Sequence, residues 1–186
     1  MRLSENRTIA WIILVLCVLI SVVGFGGMGL KNARAELLDI FYDGTEKGET
    51  TRYSMDAYLD RAAECAQVMA FEAQLHLDQD HKTAQSMLDT LSSFGDDDGL
   101  DARYEAYLQL QKDSDALYNA FYAADLSDDQ RVNFKTAYDD FWGSDKYIRK
   151  NPYCSLASDF NDDLRGFPAS LVAGIFGVYE LNSFGG

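Results

Sequence analysis

The sequence predicts an all-α protein in which an N-terminal transmembrane helix is followed by an antiparallel bundle of long helices. Residues 8–30 contain no charged side chain, whereas a quarter of the whole sequence is charged. Later segments place apolar residues at three- and four-residue steps, which indicates amphipathic helices. No stretch alternates apolar and polar residues over a strand's length. We therefore expect a short polar tail (1–7), a transmembrane helix (8–30) and a helical soluble domain (31–186).

The uncharged run is long enough to cross a bilayer, since about 20 apolar helical residues span the hydrocarbon core. A cleavable signal peptide has a shorter apolar region that ends in a small-residue cleavage site, so we expect an uncleaved anchor. Arg2 and Arg7 flank one side of the run, and Lys31 and Arg34 flank the other. Beside the shorter tail, these charges slightly favour an extracytoplasmic domain at the cell membrane.

The first elements of the domain are marked by caps and turns. Residues 31–42 can continue the anchor as a helix, and the polar, glycine-containing loop 43–50 ends it. Ser54 is a good N-cap for a long helix. A break at 77–80 precedes a shorter helix, and the acidic turn 95–99 ends that one. The apolar stripe of the long helix consists of Met55, Tyr58 or Leu59, Ala62, Ala66, Met69, Ala73 and Leu77.

Three more helices follow. Residues 100–121 carry a stripe of leucines and aromatic residues, and Ser127 with Gln130 has the spacing of a capping box for the next helix. Gly143-Ser144 is expected to weaken the middle of that helix. Asn151-Pro152 combines a good cap with proline at the first helical position. Gly166 then ends a helix, and Phe167-Pro168 opens a last apolar segment (167–184).

Composition excludes some partners and leaves the cysteines open. The net charge of −14 repels phosphate backbones, so we expect no nucleic-acid binding. Cys17 lies inside the apolar run, while Cys65 and Cys154 fall in predicted helices without a C-x-x-C partner. Both are expected to be buried small side chains, although a disulfide between them stays open if the domain faces an oxidising compartment.

No catalytic or cofactor motif is present, so we expect no enzyme, no cofactor and no metal. The acidic stretch 96–105 resembles part of an EF-hand loop, but Phe94 falls at the first ligand position. His76 and His81 are five residues apart across a break, which is not the spacing of two ligands on one helix face. Neither a nucleophile elbow nor a phosphate-binding loop occurs in the soluble part. A metal-dependent or enzymatic domain that uses the acidic turns is the alternative.

The C-terminal apolar segment has two interpretations. It can dock into a groove between helices, or it can lie on a membrane or a partner. The second interpretation leads to another alternative function, a membrane-shaping protein that acts through this segment. The apolar residues concerned are Phe167, Leu171, Ile175, Phe176 and Phe184.

This C-terminal stretch also carries a family resemblance. An aromatic-Asn pair (Phe160-Asn161) is followed at the expected distance by Phe167-Pro168 and by an apolar Ala-Gly-hydrophobic-Phe-Gly segment. The pattern resembles the end of the LemA family, and the layout of one membrane helix running into a helical domain agrees. The residues that match the family motif are Tyr153, Phe160, Asn161, Phe167, Pro168, Ala173, Gly174, Phe176 and Gly177.

The resemblance implies a membrane-anchored helical bundle of bacterial envelopes, without catalytic residues and with an undefined biochemical role. It also implies a cytoplasmic domain, which is opposite to the side that the flanking charges favour. We expect a single-pass interaction or scaffold protein whose partner is another protein. We expect Asn161 to be structural, with its amide bonded to main chain near the Phe167-Pro168 turn.

Overall fold

The first helix is much longer than a membrane span. The computed structural model describes residues 7–47, 50–52, 54–77, 81–95 and 99–184. Helix α1 (Arg7–Asp43) is continuous over 37 residues, so the predicted anchor and its predicted helical extension form one rod. At 1.5 Å per residue the rod is about 55 Å long. Its side chains become part of the core only near its C-terminal end, at Leu37 and Phe41.

A short hairpin connects α1 to the next helix. Gly44, with φ of +80°, ends α1, and strands β1 (Thr45–Lys47) and β2 (Thr50–Arg52) then pair antiparallel with Thr45 opposite Arg52. The sequence predicts only a loop here. Each strand has three residues, too few for an alternating pattern to be visible.

The predicted helices of the domain are confirmed. They are α2 (Met55–His76), α3 (Lys82–Ser92), α4 (Gly99–Ala123), α5 (Asp128–Ile148) and α6 (Pro152–Arg165), followed by the short α7 (Ala169–Phe176). Ser54 accepts a hydrogen bond from the Ala57 amide at 3.0 Å, and Ser127 with Gln130 forms the expected capping box. Helix α5 continues without a break through Gly143-Ser144, and Ser144 is buried.

Helices α2 to α5 form an antiparallel bundle, which confirms the predicted fold class. Tyr58 stacks on Tyr147, while Glu72 accepts a hydrogen bond from Asn133, so α2 and α5 run in opposite directions. Helix α4 runs antiparallel to α5, since Tyr107 bonds to Asp145 and its far end packs on the start of α5. We call the end that holds the start of α2 the proximal end and the opposite one the distal end.

The core of the bundle forms where the predicted apolar stripes of its helices meet. Small side chains of α2 let the neighbouring helices approach closely, and aromatic rings of α4 and α5 fill the remaining space. Phe121 and Phe134 stack with their ring centroids 4.1 Å apart at the distal end. Fully buried members include Met55, Leu59, Ala62, Ala66, Met69, Ala73, Met87, Leu110, Leu117, Phe121, Phe134, Phe141 and Ile148.

Helices α6 and α7 connect the proximal end of the bundle to α1. Tyr153, at the start of α6, contacts Phe41 with a centroid distance of 5.1 Å. Helix α6 then returns along α1, and α7 packs beside Gly26 and Gly27. The last residues lead back to the proximal end, where Phe184 is 4% exposed. The bundle thus sits at the C-terminal end of α1, and α6 and α7 pack against the part of α1 that precedes it.

Candidate functional site: the junction between α1 and α7

The described residues in the first half of α1 expose large apolar side chains. Between 45% and 69% of each large apolar side chain from Trp11 to Leu16 is exposed, and the same holds at Val18 and Ile20. Among the described residues, α1 is the one helix that is long and apolar enough to cross a membrane. Burial of this surface in water would need a partner of similar length, whereas a bilayer covers it directly.

Helix α7 packs on α1 through glycines. Val172 lies over Gly26, where an added Cβ would be 3.6 Å from its methyl group. At Gly27 an added Cβ would lie 2.4 Å from the ring of Phe176, so only a glycine allows this approach. The ammonium group of Lys31 lies 5.6 Å from the centroid of the same ring, which is a cation–π distance. The glycine-rich part of the anchor is thus the seat of α7.

The opposite face of α7 is exposed and apolar. Phe167 is 87% exposed, Leu171 54% and Ile175 60%. On α1, Phe25 and Met28 are also exposed at the same level as the two glycines. We call these five side chains the junction patch. It contains no charged residue, so water alone is an unfavourable environment for it.

An ion pair connects the residues on either side of the segment 166–179, which contains α7. The guanidinium of Arg165 donates from Nε to one carboxylate oxygen of Glu180 at 2.9 Å and from a terminal nitrogen to the other at 2.7 Å. The hydrogen bonds from Arg165 lower the pKa of Glu180 below its ordinary value. A bidentate pair of this kind fixes orientation as well as distance. It holds the ends of the 166–179 segment together.

Asn161 has a structural position, but not at the place expected from the sequence. Its amide group donates to the Leu181 carbonyl at 2.7 Å and accepts from the Leu181 amide at 2.8 Å. The expected bonding near Phe167-Pro168 is therefore wrong: the side chain holds the returning C-terminal residues to α6. Phe184 then contacts Phe41 and Tyr104. Asn161 thus holds the C-terminal strap, residues 177–184, to α6.

The residues that resemble the LemA motif fall into two groups in the structure. Tyr153, Phe160, Asn161 and Ala173 are buried, and Phe176 is half-buried against α1. Phe167, Pro168, Gly174 and Gly177 are exposed on the outside of the segment. Gly177 has φ of +63°, a conformation that glycine adopts without strain, and it ends α7. The motif therefore describes the folding of the segment onto α1 together with an exposed apolar surface.

The acidic and histidine sites considered from the sequence do not come together. Residues 96–98 of the acidic turn lie outside the described residues. His76 lies 3.3 Å from Glu72 on its own helix and packs on Phe121, whereas His81 is the N-cap residue of α3. Within the described part of the chain, no three His, Cys, Asp or Glu side chains are grouped as metal ligands.

Buried charges occur in the bundle, but each has partners. Asp145 accepts hydrogen bonds from Tyr107, Gln111 and Arg149, at 2.7, 2.6 and 2.8 Å. Arg103 is 3% exposed and forms ion pairs with Asp56 and Asp60. Except for the bond between Arg149 and Asp145, these contacts join different helices at the proximal half of the bundle. Satisfied networks of this kind fix helix register.

The cysteines are free thiols in the structure. Burial raises the pKa of Cys65, which lies on α2. Burial also raises the pKa of Cys154, whose thiol contacts the Ile148 carbonyl at 3.2 Å. A raised pKa lowers the thiolate fraction, so both side chains are poor nucleophiles.

The structure also reveals a surface that the sequence stripes did not predict. Val68, Phe71 and Leu75 are 42%, 52% and 73% exposed in the distal half of α2. We call these three the distal patch. Their spacing of three and four residues places them along one side of the helix, next to the buried stripe. The signal was present in the sequence, but an apolar residue beside an apolar stripe is easily assigned to the core.

No protein-family model, no curated protein and no solved structure matches this chain. The resemblance to the LemA family therefore stays a prediction from the C-terminal motif.

Proposed function

We propose that the chain is a single-pass membrane protein of the LemA type whose helical domain docks a protein partner at a cell membrane. In this proposal α1 is the anchor and α2 to α5 form the docking body. The domain has no catalytic role.

The single observation that carries the proposal is the continuity of α1. Its first half exposes an uncharged apolar surface, and its last turns contribute Leu37 and Phe41 to the core. One helix without a break thus belongs to both regions. A rigid connection of this kind holds a docking domain at a fixed distance from the bilayer, which a flexible linker would not do.

The distal patch is the surface that we assign to the partner. Three neighbouring apolar side chains form a short stripe, which is the way that helices dock in grooves or on other helices. Exposed carboxylates lie on the same side of the bundle, with Glu64 on α2 and Asp140 on α5, and they share Arg61. The chain as a whole carries a net charge of −14. The partner surface should therefore be apolar with lysines or arginines around it.

Membrane anchoring is tested by fractionation of cells that express the full chain. We expect the protein to stay in the membrane pellet after alkaline carbonate washing and to enter the soluble fraction only with detergent. Full-length protein that partitions wholly into the aqueous fraction without detergent would remove the proposal. Protease treatment of intact cells then decides the side, since an external domain is degraded and an internal one is protected.

The docking role is tested by photo-crosslinking in intact membranes. A crosslinking residue at Leu75 should give one discrete adduct, and Phe71→Asp should abolish it while the helical circular dichroism is unchanged. Leu108, 42% exposed on α4, is the matched control position and should give no adduct. Equal labelling at Leu75 and Leu108 would contradict a docking surface at the distal patch. A melting temperature that rises with Ca²⁺ or Zn²⁺ would favour the metal-dependent alternative instead.

A further inference from the structure

We infer that α7 is a second membrane-contacting element: its outer face lies in the boundary between lipid tails and headgroups, beside the point where α1 leaves the bilayer. The inference rests on the proposed membrane anchoring by α1 and goes beyond it. It assigns the junction patch to lipid, and it makes the base of the stalk part of the membrane contact.

The first argument is the depth of the contact. Gly27, which seats Phe176, precedes the first charged residue after the anchor, Lys31, by four residues. At 1.5 Å per residue this is roughly 6 Å along α1. The uncharged run 8–30 is about 34 Å long on the same scale, while a hydrocarbon core is about 30 Å thick. The glycines that α7 contacts are therefore inside or at the edge of the hydrocarbon.

The second argument is charge distribution. The two longest runs without Asp, Glu, Lys or Arg in the sequence are residues 8–30 and residues 166–179. These two runs pack on each other through α1 and α7. The charged residues that border the second run, Arg165 and Glu180, pair with one another at its base. The two longest uncharged parts of an acidic chain are thus placed together.

The third argument is the orientation of the apolar side chains. The inner face of α7 is already satisfied, because Val172 and Ala173 are buried and Phe176 packs on α1. Phe167, Leu171 and Ile175 point away from this contact and stay exposed. Interfacial helices bury such a face about 5–10 Å into the boundary between headgroups and acyl chains. Phe25 and Met28 are exposed at the same level of α1, so a bilayer that surrounds the anchor at this level also reaches the outer face of α7.

Electrostatics distinguish this contact from ordinary peripheral binding. The net charge of −14 repels anionic headgroups, so Coulomb attraction cannot hold α7 on the membrane. The contact must come from apolar burial, and we expect it to form without anionic lipid and without a dependence on salt.

The test is a measurement of depth on the full chain. In a background with Cys17, Cys65 and Cys154 replaced by alanine, single cysteines are introduced by Ile175→Cys, Phe25→Cys and Phe71→Cys and labelled with a nitroxide. Each protein is reconstituted in phosphatidylcholine vesicles with and without phosphatidylglycerol. Collision rates with oxygen, which enters lipid, and with a water-soluble nickel chelate are then compared.

We expect the oxygen-to-nickel ratio at position 175 to be several-fold higher than at position 71 and close to that at position 25, with both lipid compositions. A label at 175 that collides mainly with nickel, while the label at 25 reports lipid, overturns the inference but leaves the anchor. A label at 25 that reports water means that the anchoring itself is wrong. Low collision with both reagents at 175 means that protein covers α7, for example a second copy of the chain, and this also overturns the inference.

A second measurement covers the case in which the cysteine-free background does not fold. With Trp11 and Trp142 changed to phenylalanine, Ile175→Trp and Phe71→Trp report depth through quenching by brominated lipids. We expect lipids brominated near the headgroup end of the acyl chain to quench strongly at position 175 and to leave position 71 unchanged. Equal, weak quenching at both positions would contradict the lipid contact of α7.

Discussion

The bundle and the junction of α1 and α7 contain opposite kinds of unusual side chains. In the bundle, the charged side chains that become buried have partners, as with Asp145 and its three donors. At the junction of α1 and α7 the unusual groups are apolar and exposed, as with Leu171 and Ile175. Buried charge needs hydrogen bonds, and exposed apolar surface needs a cover that is not water.

This contrast indicates which surroundings, water or lipid, suit the surface of each region. The bundle has an apolar interior and, apart from the distal patch, a mainly polar and acidic exterior, so water suits most of its surface. The junction has glycines inside and large apolar side chains outside, which is the arrangement of helices that contact lipid. One folded unit can thus expose mainly polar side chains in one region and large apolar side chains in another that is only a few helical turns away. The same kind of substitution should therefore have different effects on stability in the two regions.

The largest expected effect is in the bundle core. Phe134→Ala removes a fully buried ring that stacks on Phe121, so we expect a loss of about 3–5 kcal/mol in the free energy of unfolding. The matched control is Phe71→Ala, the same change at a side chain that is 52% exposed, which should stay within about 0.5 kcal/mol. Denaturant unfolding of the detergent-solubilised chain measures both. Similar losses in the two variants would mean that Phe71 is buried in solution.

The next effect is at the strap. Asn161→Ala leaves a buried amide and a buried carbonyl of Leu181 without their bonds, which should cost roughly 2–4 kcal/mol. Asn133→Ala is the control, because it removes a solvent-exposed bond to Glu72 and should cost less than about 1 kcal/mol. Thermal melting measures stability, and limited proteolysis should cut residues 177–184 only in the Asn161 variant. An unchanged melting temperature after Asn161→Ala would show that its structural assignment is wrong.

A smaller effect is expected at the seat of α7. Gly27→Ala places a methyl group against the Phe176 ring, and the displacement should cost roughly 1–3 kcal/mol locally. Gly29→Ala is the matched control, since nothing lies within 4 Å of its added Cβ. Hydrogen exchange of the chain in lipid should rise over 169–176 in the first variant alone. Equal exchange in both variants would mean that α7 does not need the glycine contact.

These comparisons also show how far the sequence alone could reach. Periodicity and caps predicted α2 to α6, because a stripe such as Met55, Leu59 and Ala62 reports directly which side is buried. Ser127 with Gln130 predicted a helix start, since the capping box is a local interaction. The hairpin at 45–52 was not predictable in this way, because two strands of three residues depend on pairing rather than on pattern.

The junction was only partly predictable, for a physical reason. Apolar residues at 171 and 175 indicate a helix face, but not whether protein or lipid covers it. Sequence distance also hid the bond partner of Asn161, since Leu181 is twenty residues away and is brought back only by the turn at Gly177. Local rules do not report such non-local contacts. The contact of Gly26 and Gly27 with α7 became visible only in the structure.

The smallest expected effects separate two buried tyrosines. Tyr107 lies in the bundle and donates to Asp145 at 2.7 Å, whereas the hydroxyl of Tyr153 has no hydrogen-bond partner among the described residues. Tyr107→Phe should therefore cost about 1–2 kcal/mol at pH 7, while Tyr153→Phe should be neutral or slightly stabilising. Urea unfolding at pH 7 measures both. A larger loss from Tyr153→Phe than from Tyr107→Phe would show that the hydroxyl of Tyr153, and not that of Tyr107, makes the stabilising hydrogen bond.

The same pair gives a pH dependence with a defined sign. Burial raises the pKa of both phenols in the folded chain above the ordinary value near 10. The unfolded chain therefore loses these protons first, and the stability they contribute is complete below about pH 10 and falls as the pH rises beyond it. In either phenylalanine variant one such group is absent, so the decline in unfolding free energy above pH 10 should be shallower than in the parent chain. A decline of identical slope in all three proteins would show that neither phenol keeps its proton in the folded state.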